Sequence, residues 1–198
     1  MMIKYPNGEQ YHPIAKAKKK SKEDISFSSA NRGMSLEEDI NLSNDHYLTS
    51  GILLITKRPT PIRVVKVDYS KGAKIIDAFF QKQSTTDYNG VYKGRYIDFE
   101  AKSTKNRSCF PLSNVSLHQI EHLKNVLNFG GIAFFIIEFA YHDQVYLLDA
   151  SYVIDCYEHG ERKSIPFATV CEKGVLIKRG YNPRLDYLPA LDNLYFNK

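Results

Sequence analysis

The sequence predicts an α/β fold in which a mixed β-sheet is flanked by helices and is interrupted by an inserted hairpin. Three observations indicate this fold: the order of helical and strand patterns, a near-continuous apolar stretch at 132–139, and a basic, proline-containing stretch at 57–82. Helix, strands, helix and strands in that order are typical of a mixed sheet with helices packed on it. The 198 residues favour one domain of ordinary size, which we place at 31–198.

The first helix is predicted to begin at Ser35, because Ser35-Leu36-Glu37-Glu38 has the Ser-x-x-Glu form of a capping box. It should end near 49–51, and the aliphatic residues 52–55 should then form a buried strand. Residues 1–30 are rich in lysine and lack an apolar period. We therefore expect a flexible basic tail there, which either keeps the protein in solution or grips phosphates.

The stretch 57–82 is expected to form a basic hairpin. Pro59 and Pro61 interrupt the preceding strand, because proline cannot donate a ladder hydrogen bond. Strand patterns at 63–69 and 74–80 flank a turn at 70–72. Between positions 57 and 74, six basic side chains stand against one acidic one, as a polyanion-binding surface requires.

A strand is predicted at 95–102, after a turn at Asn89-Gly90. Alternation along that strand places Glu100 and Lys102 on one face, about 7 Å apart. The same face carries Tyr96 and Asp98, and the opposite face is expected to point into the core through Ile97, Phe99 and Ala101.

Asp87 brings a second carboxylate towards Glu100 and Lys102. Two converging carboxylates can hold a divalent cation, and an adjacent lysine can orient a water, which together are the components of metal-dependent phosphodiester cleavage. The alternative is a solvated strand face with an ordinary ion pair. Asp98 is a rival metal ligand on the same face, ranked below the other two acids.

The second half of the chain is predicted to contain a helix at 116–128 that ends at Gly130-Gly131. A buried strand at 132–139, a neighbouring strand at 144–148 and a short helix at 151–158 should follow. The last 40 residues contain several turn signals and give no clear assignment.

Several classes of protein are not expected. There is no apolar stretch of 18 residues and no signal-peptide core, so the sequence predicts a cytoplasmic protein without a membrane span. The three widely spaced cysteines fit reduced thiols. His118 and His122 lack the zincin pattern, and 90–95 lacks the end of a P-loop, so neither zinc nor ATP is expected.

Residues 85–102 read TTDYNGVYKGRYIDFEAK, and this string resembles the RecU family of Holliday-junction resolvases from low-GC Gram-positive bacteria. The likeness covers roughly residues 31–190. Further matching segments are NRGMSLE at 31–37, KRPTP at 57–61, FPL at 110–112, HQIEH at 118–122, VYLL at 145–148 and NPRLDY at 182–187.

The resemblance implies a restriction-endonuclease-like core with a protruding stalk, which corresponds to the hairpin at 57–82. It implies a homodimer that binds four-way junction DNA and nicks opposed strands in recombination, repair and chromosome segregation, leaving 5′-phosphates. One or two Mg²⁺ ions are expected per active site, and Mn²⁺ can substitute. Contacts with recombinase and branch-migration proteins are implied by the family alone.

The resemblance also assigns residues. The metal-site positions are Thr85, Asp87, Glu100 and Gln119. The catalytic set is Asp87, Glu100, Lys102 and Glu37. Within it, Lys102 occupies the position that stabilises the transition state. The resemblance adds Arg32 and Phe80 to the DNA-binding set, whose other members come from the charge pattern: Lys57, Arg58, Arg63, Lys66, Lys71 and Lys74.

Two departures from the family are visible. The stalk tip lacks the usual arginine, although Lys71 and Lys74 can supply point charges, and Thr56 replaces a usual histidine. Two other functions fit the charge pattern. One is a branched-DNA-binding accessory protein that has lost cleavage, and the other is a sequence-specific restriction endonuclease.

Overall fold

A computed structural model describes residues 29–80 and 85–197, with the side chains of 29–35 left out. Most of the predicted tail, residues 1–28, and the end of the predicted stalk, residues 81–84, lie outside this description. Within the described ranges there are five helices: α1 (Ser29–Thr49), α2 (Leu117–Asn128), α3 (Ala150–His159), α4 (Phe167–Lys173) and α5 (Leu188–Tyr195). The described strands are β1 (Leu54–Lys57), β2 (Ile62–Asp68), β3 (Lys74–Phe80), β4 (Tyr88–Tyr92), β5 (Arg95–Thr104), β6 (Cys109–Pro111), β7 (Ile132–Phe139), β8 (Gln144–Asp149), β9 (Ser164–Pro166), β10 (Val175–Arg179) and β11 (Leu185–Asp186).

Seven strands form one mixed sheet in the order β1-β4-β5-β7-β8-β10-β11. The central pair β5–β7 is parallel and the remaining pairs are antiparallel. Residues 105–131 connect the parallel pair and contain α2, as a crossover between parallel strands requires. The mixed sheet predicted from the sequence is therefore confirmed.

Helices cover both faces of this sheet. One apolar cluster joins α1 and α5 to Phe99 of β5 and Phe134 of β7. A second cluster joins α2, α3 and α4 to Phe135 and Ile137 of β7. All eight residues of β7 are buried, because alternate side chains enter the two clusters. Among the described helices, none combines the length and apolarity that crossing a bilayer demands.

The hairpin β2–β3 forms a separate two-stranded sheet. Nearly all of its residues are exposed. A bulge falls between Val64 and Val67, and Gly72 at the tip has a φ of 102°, which favours glycine. The protruding hairpin and the helix-flanked mixed sheet confirm the predicted fold class.

The start of α1 and the position of β1 differ from the prediction. The helix begins at Ser29 and not at Ser35, so the Ser-x-x-Glu sequence lies inside it. Residues 30–34 contain good helix formers, and the single glycine there costs only about 1 kcal/mol. The strand predicted at 52–55 begins at Leu54, because Gly51 and Ile52 close the helix by hydrogen bonds to Leu48 and Tyr47.

The turn predicted at Asn89-Gly90 is wrong, since both residues lie inside β4. The hairpin turns instead at Lys93 and Gly94, which have φ values of 47° and 75°. Gly90 serves a close approach between strands: a Cβ there would lie 1.9 Å from the Leu54 carbonyl oxygen of β1. The glycine is therefore needed for packing of the sheet edge.

Candidate active site

The antiparallel pairing of β4 with β5 brings Asp87 beside Glu100. Tyr88 is opposite Phe99, so Asp87, one residue earlier, lies level with Glu100. The Asp87 backbone N–H donates to Glu100 Oε2 at 3.1 Å, and the Ala101 N–H donates to Asp87 Oδ2 at 3.0 Å. Each carboxylate thus accepts a hydrogen bond from a backbone N–H at, or next to, the other acidic residue.

Lys102 and Gln119 both contact the remaining oxygen of Glu100. Lys102 Nζ lies 2.7 Å from Glu100 Oε1, and Gln119 Nε2 donates to the same atom at 2.6 Å. The amide oxygen of Gln119 accepts from the Ser116 N–H at 3.0 Å, which forms the capping box at the start of α2. Gln119 is consequently fixed by its helix and orients Glu100. Its role as a direct metal ligand stays a prediction.

Two acidic side chains share one close cation at this site. Burial, and then the charge of Asp87, raises the pKa of Glu100 to about 7, although Lys102 opposes the shift. Burial also raises the pKa of Asp87, and the nearby charge of Glu37 adds to this effect against the Ala101 hydrogen bond. The pair therefore carries negative charge that Lys102 alone does not offset.

Glu37 approaches the site from α1 but is paired with another residue. Its carboxylate forms an ion pair with Lys57 at the end of β1. The Tyr88 hydroxyl, on the first residue after Asp87, donates to the Glu37 carbonyl oxygen at 3.1 Å. Glu37 acts on Asp87 through its charge, and its participation in the catalytic set remains a prediction.

The predicted metal-site residue Thr85 lies next to Arg58. Arg58 Nη1 donates to Thr85 Oγ1 at 2.8 Å, and the Arg58 backbone N–H donates to the Asp87 carbonyl oxygen at 2.7 Å. The Thr85 hydroxyl oxygen is therefore already engaged. Its main-chain carbonyl is the other oxygen that it could offer to a cation.

Asp98, the rival ligand, is fully buried and saturated with donors. Its Oδ2 accepts from Arg58, from the Tyr96 hydroxyl at 2.8 Å, and makes a 2.9 Å contact with His122 Nε2. Its Oδ1 accepts from the Thr86 hydroxyl. Burial works to raise the pKa of Asp98, but these hydrogen bonds and the Arg58 charge bring it below its usual value.

The sequence did not identify the partners of Asp98. A signal was nevertheless present, because Gln119 and His122 are three residues apart on α2 and so share a face. They face Glu100 and Asp98, which are two apart on β5. Three residues rise about 4.5 Å along a helix and two rise about 7 Å along a strand, and the long side chains of Gln119 and His122 span the difference, so both pairs form together.

The predicted DNA-binding residues divide into two groups. Arg58 turns inward to the buried Asp98, whereas Lys57 pairs with Glu37 at the surface, where 45% of its side chain is exposed. The hairpin carries the second group, and all of its members are exposed: Arg63, Lys66, Lys71, Lys74 and Phe80. Arg32 lies in α1, and its side chain is outside the described residues.

The residues at this site fit a magnesium ion. In the described part of the chain, no three His, Cys, Asp or Glu side chains are arranged to hold a metal. A cation here would rely on Asp87 and Glu100, with neutral oxygens, water and phosphate completing its shell. Mg²⁺ characteristically binds through one or two carboxylates while keeping several waters. Lys102 retains 21% exposure of its side chain and Asp87 is half-buried, so solvent reaches these two residues beside the buried Glu100.

Comparison with known proteins places this chain in a family. Residues 31–193 match the model of a family described as "Recombination protein U", RecU. A protein named Holliday junction resolvase RecU from Bacillus cereus (strain AH820) is 50% identical over 202 residues, which covers all of both chains. A protein of the same name from Bacillus thuringiensis (strain Al Hakam) has the same identity and coverage.

Among solved structures, the chain is similar to Archaeoglobus fulgidus Hjc, described as a Holliday junction resolvase from an archaeal hyperthermophile. The TM-score is 0.44 at 13% sequence identity, over 72% of this chain and 94% of that chain. The family assignment comes from the match to the family model and from the full-length relatives. On these grounds, the chain belongs to the RecU family of recombination proteins.

Proposed function

We propose that this protein is a Mg²⁺-dependent endonuclease that resolves Holliday junctions by paired nicking of opposed strands. Its biological setting would be recombination, repair and chromosome segregation. The observation that carries the proposal is the convergence of Asp87 and Glu100 beside one lysine, at the point where β4 begins next to β5. Family membership and the resolvase activity named for the full-length Bacillus relatives support the choice of substrate.

Asp87 and Glu100 would hold one or two Mg²⁺ ions, with the Thr85 carbonyl as a further ligand. Gln119 keeps Glu100 in place, or joins the shell if its amide leaves Ser116. Mn²⁺ could replace Mg²⁺ because both favour oxygen ligands. When bound, such an ion would lower the pKa of a coordinated water and offset charge on the scissile phosphate. The cleaved strand is proposed to carry a 5′-phosphate.

Lys102 supplies the ammonium for the transition state. It lies on the same strand as Glu100 and on the same face, so its position relative to the carboxylates is set by the strand. From there it orients the attacking water and stabilises negative charge that develops on the phosphate oxygens. Glu37, held by Lys57, adds negative charge next to Asp87 and favours cation binding.

Junction recognition is assigned to the hairpin and to a two-fold dimer. The exposed lysines and Arg63 would bind phosphates, and Phe80 would lie against bases at the junction centre. A homodimer would present two such sites to opposed strands, which gives symmetric cuts. Recombinase and branch-migration proteins are proposed partners from the family, and we propose a cytoplasmic location because the substrate is chromosomal DNA.

The decisive experiment uses a labelled four-way junction and a linear duplex of matched sequence, each incubated with the full chain in Mg²⁺ or in EDTA. We expect paired nicks in the junction only with Mg²⁺, and binding in both conditions. Asp87→Asn should bind the junction and leave it uncut.

The two other functions give different results in the same assay. Junction binding without any metal-dependent nick would favour the accessory protein. Cleavage of the linear duplex at one short sequence would favour a restriction endonuclease.

A further inference from the structure

Arg58 was expected to contact DNA, but its guanidinium points into the protein. Its Nη2 donates to Asp98 Oδ2 and to the Tyr96 hydroxyl, the latter at 2.9 Å. Its Nη1 donates to Thr85 Oγ1 at 2.8 Å. Both terminal nitrogens are thus committed to protein groups, and only 23% of the side chain is exposed.

The carboxylate that accepts from Arg58 is fully buried, which is unusual for an aspartate. The side chain of Asp98 has no exposed area, and an ionised carboxylate in such a place requires paired charge and several donors. Asp98 receives them from Arg58, Tyr96, His122 and Thr86. Removing one partner of a buried ion pair is strongly unfavourable, so the position of Arg58 is tightly determined.

Arg58 also holds the chain segment that delivers Asp87. Its backbone N–H donates to the Asp87 carbonyl oxygen at 2.7 Å, while its side chain holds the Thr85 hydroxyl. Asp98 is two residues before Glu100 on β5. One residue therefore connects the end of β1, the 85–87 segment and the strand that carries the second carboxylate.

We propose that Arg58 and Asp98 form a clamp that positions Thr85 and Asp87 against Glu100 for metal binding, and that Arg58 is not a DNA contact. This inference rests on the proposed function. A planar guanidinium can donate to Thr85 and Asp98 at once, whereas the single ammonium of a lysine cannot reproduce that fork. Outer-shell partners of this kind typically change metal affinity by about 10- to 100-fold when they are lost.

The test compares Arg58→Lys, Arg58→Ala and Asp98→Asn with Lys66→Ala, an exposed basic residue of the hairpin. Mn²⁺ binding to each full-length protein is measured by calorimetry without DNA, and junction binding is measured in EDTA. We expect the three clamp variants to weaken Mn²⁺ binding about 10- to 100-fold and to bind the junction within about twofold of the unaltered protein. Lys66→Ala should weaken junction binding in EDTA and leave Mn²⁺ binding unchanged.

Tyr96→Phe guards against variants that fail to fold, because it removes the two hydrogen bonds of the Tyr96 hydroxyl, from Arg58 and to Asp98, and leaves the charges in place. We expect it to weaken Mn²⁺ binding by about two- to tenfold, in line with the modest net contribution of such hydrogen bonds.

Two failures are distinguishable. If the unaltered protein binds Mn²⁺ and cuts junctions, but the clamp variants bind Mn²⁺ equally well and lose junction affinity in EDTA, Arg58 is a DNA contact and the clamp is wrong. If the unaltered protein binds no Mn²⁺, the proposed function fails and the clamp fails with it.

Discussion

The active-site edge and the hairpin are built in opposite ways. At the edge, Glu100 is bonded both to the Asp87 backbone and to Lys102, and Arg58 and Asp98 lie beside them in a second bonded group. On the hairpin, the side chains stand in solvent. Eight large apolar side chains are exposed between positions 62 and 80: Ile62, Val64, Val65, Tyr69, Ile75, Ile76, Phe79 and Phe80.

The difference indicates how each region is specified. The positions of the carboxylates are fixed by protein contacts before a substrate arrives, as preorganised electrostatic catalysis requires. The hairpin has a fixed ladder of backbone hydrogen bonds, but its side chains face solvent and would gain their contacts from a bound partner. An exposed apolar patch bordered by lysines is typical of an interaction surface. We therefore expect substitutions at the edge to change chemistry or folding, and those on the hairpin to change DNA binding.

The largest contrast is expected in stability. Phe99 is fully buried and stacks between Tyr88 and Phe134, with ring centroids 4.8 and 4.7 Å away. Phe99→Ala should lower the free energy of unfolding by about 3–5 kcal/mol, because it opens a cavity in the core. Phe79 on the hairpin is 63% exposed, so Phe79→Ala should change it by less than about 0.5 kcal/mol. Urea denaturation measures both, and equal losses would show that the hairpin is part of the core.

The next contrast is in cleavage. Lys102→Met should lower the single-turnover cleavage rate by about 10²- to 10³-fold, which is typical when a transition-state donor is removed. Junction affinity in EDTA should stay within about twofold of the unaltered protein, because Lys102 is bonded to Glu100 when no metal is present. Lys71→Met at the hairpin tip is the matched control and should weaken binding while sparing the rate at saturating protein. A normal cleavage rate for Lys102→Met would remove this residue from the mechanism.

Metal binding at the active-site edge should depend on pH. The folded protein holds the pKa of Glu100 at about 7, above its ordinary value of 4.5, so the carboxyl binds a proton below about pH 7. Mg²⁺ must displace that proton, so its apparent affinity should rise about tenfold per pH unit up to about 7 and then level off. Titration of Mg²⁺ at pH 6, 7 and 8 measures this effect, and a flat profile would contradict the charge arrangement at the site.

The same shift has a consequence for stability without metal. Because the pKa of Glu100 is raised on folding, its protonated form favours the folded state. That contribution is complete below about pH 4.5 and is lost as pH rises through about 7. Added Mg²⁺ should therefore raise the melting temperature more at pH 8 than at pH 6.

The sequence predicted the parts of the molecule that have strong local patterns. The near-continuous apolar run at 132–139, the helix predicted at 116–128 and the alternating strand after Arg95 were all confirmed. The same alternation predicted that Glu100 and Lys102 share a face, and their charged atoms lie 2.7 Å apart. A period in the sequence is set by local geometry, so these features need no knowledge of distant residues.

The features that the sequence missed depend on contacts between distant segments. Gly90 was taken for a turn residue, but its role is set by the Leu54 carbonyl of a strand 36 positions earlier. Arg58 was predicted to contact DNA, but it forms an ion pair with the buried Asp98, 40 positions later in the sequence. The C-terminal elements α4, β10, β11 and α5 are short and are stabilised by packing on the sheet, so their own sequences carry little periodicity.

The smallest expected effect concerns single hairpin lysines. Each lysine that neutralises one phosphate releases about one counterion, so losing it should reduce the slope of log affinity against log salt by about 0.9. Lys74 lies opposite Asp68 at the exposed end of the ladder, and Lys74→Ala should show this change with only a few-fold loss of junction affinity. Lys173 on α4, paired with Glu172, is the control, and its removal should leave the slope unchanged. Equal slopes for the two variants would place the phosphate-binding surface outside the hairpin, and the exposed lysines there would then serve solubility alone.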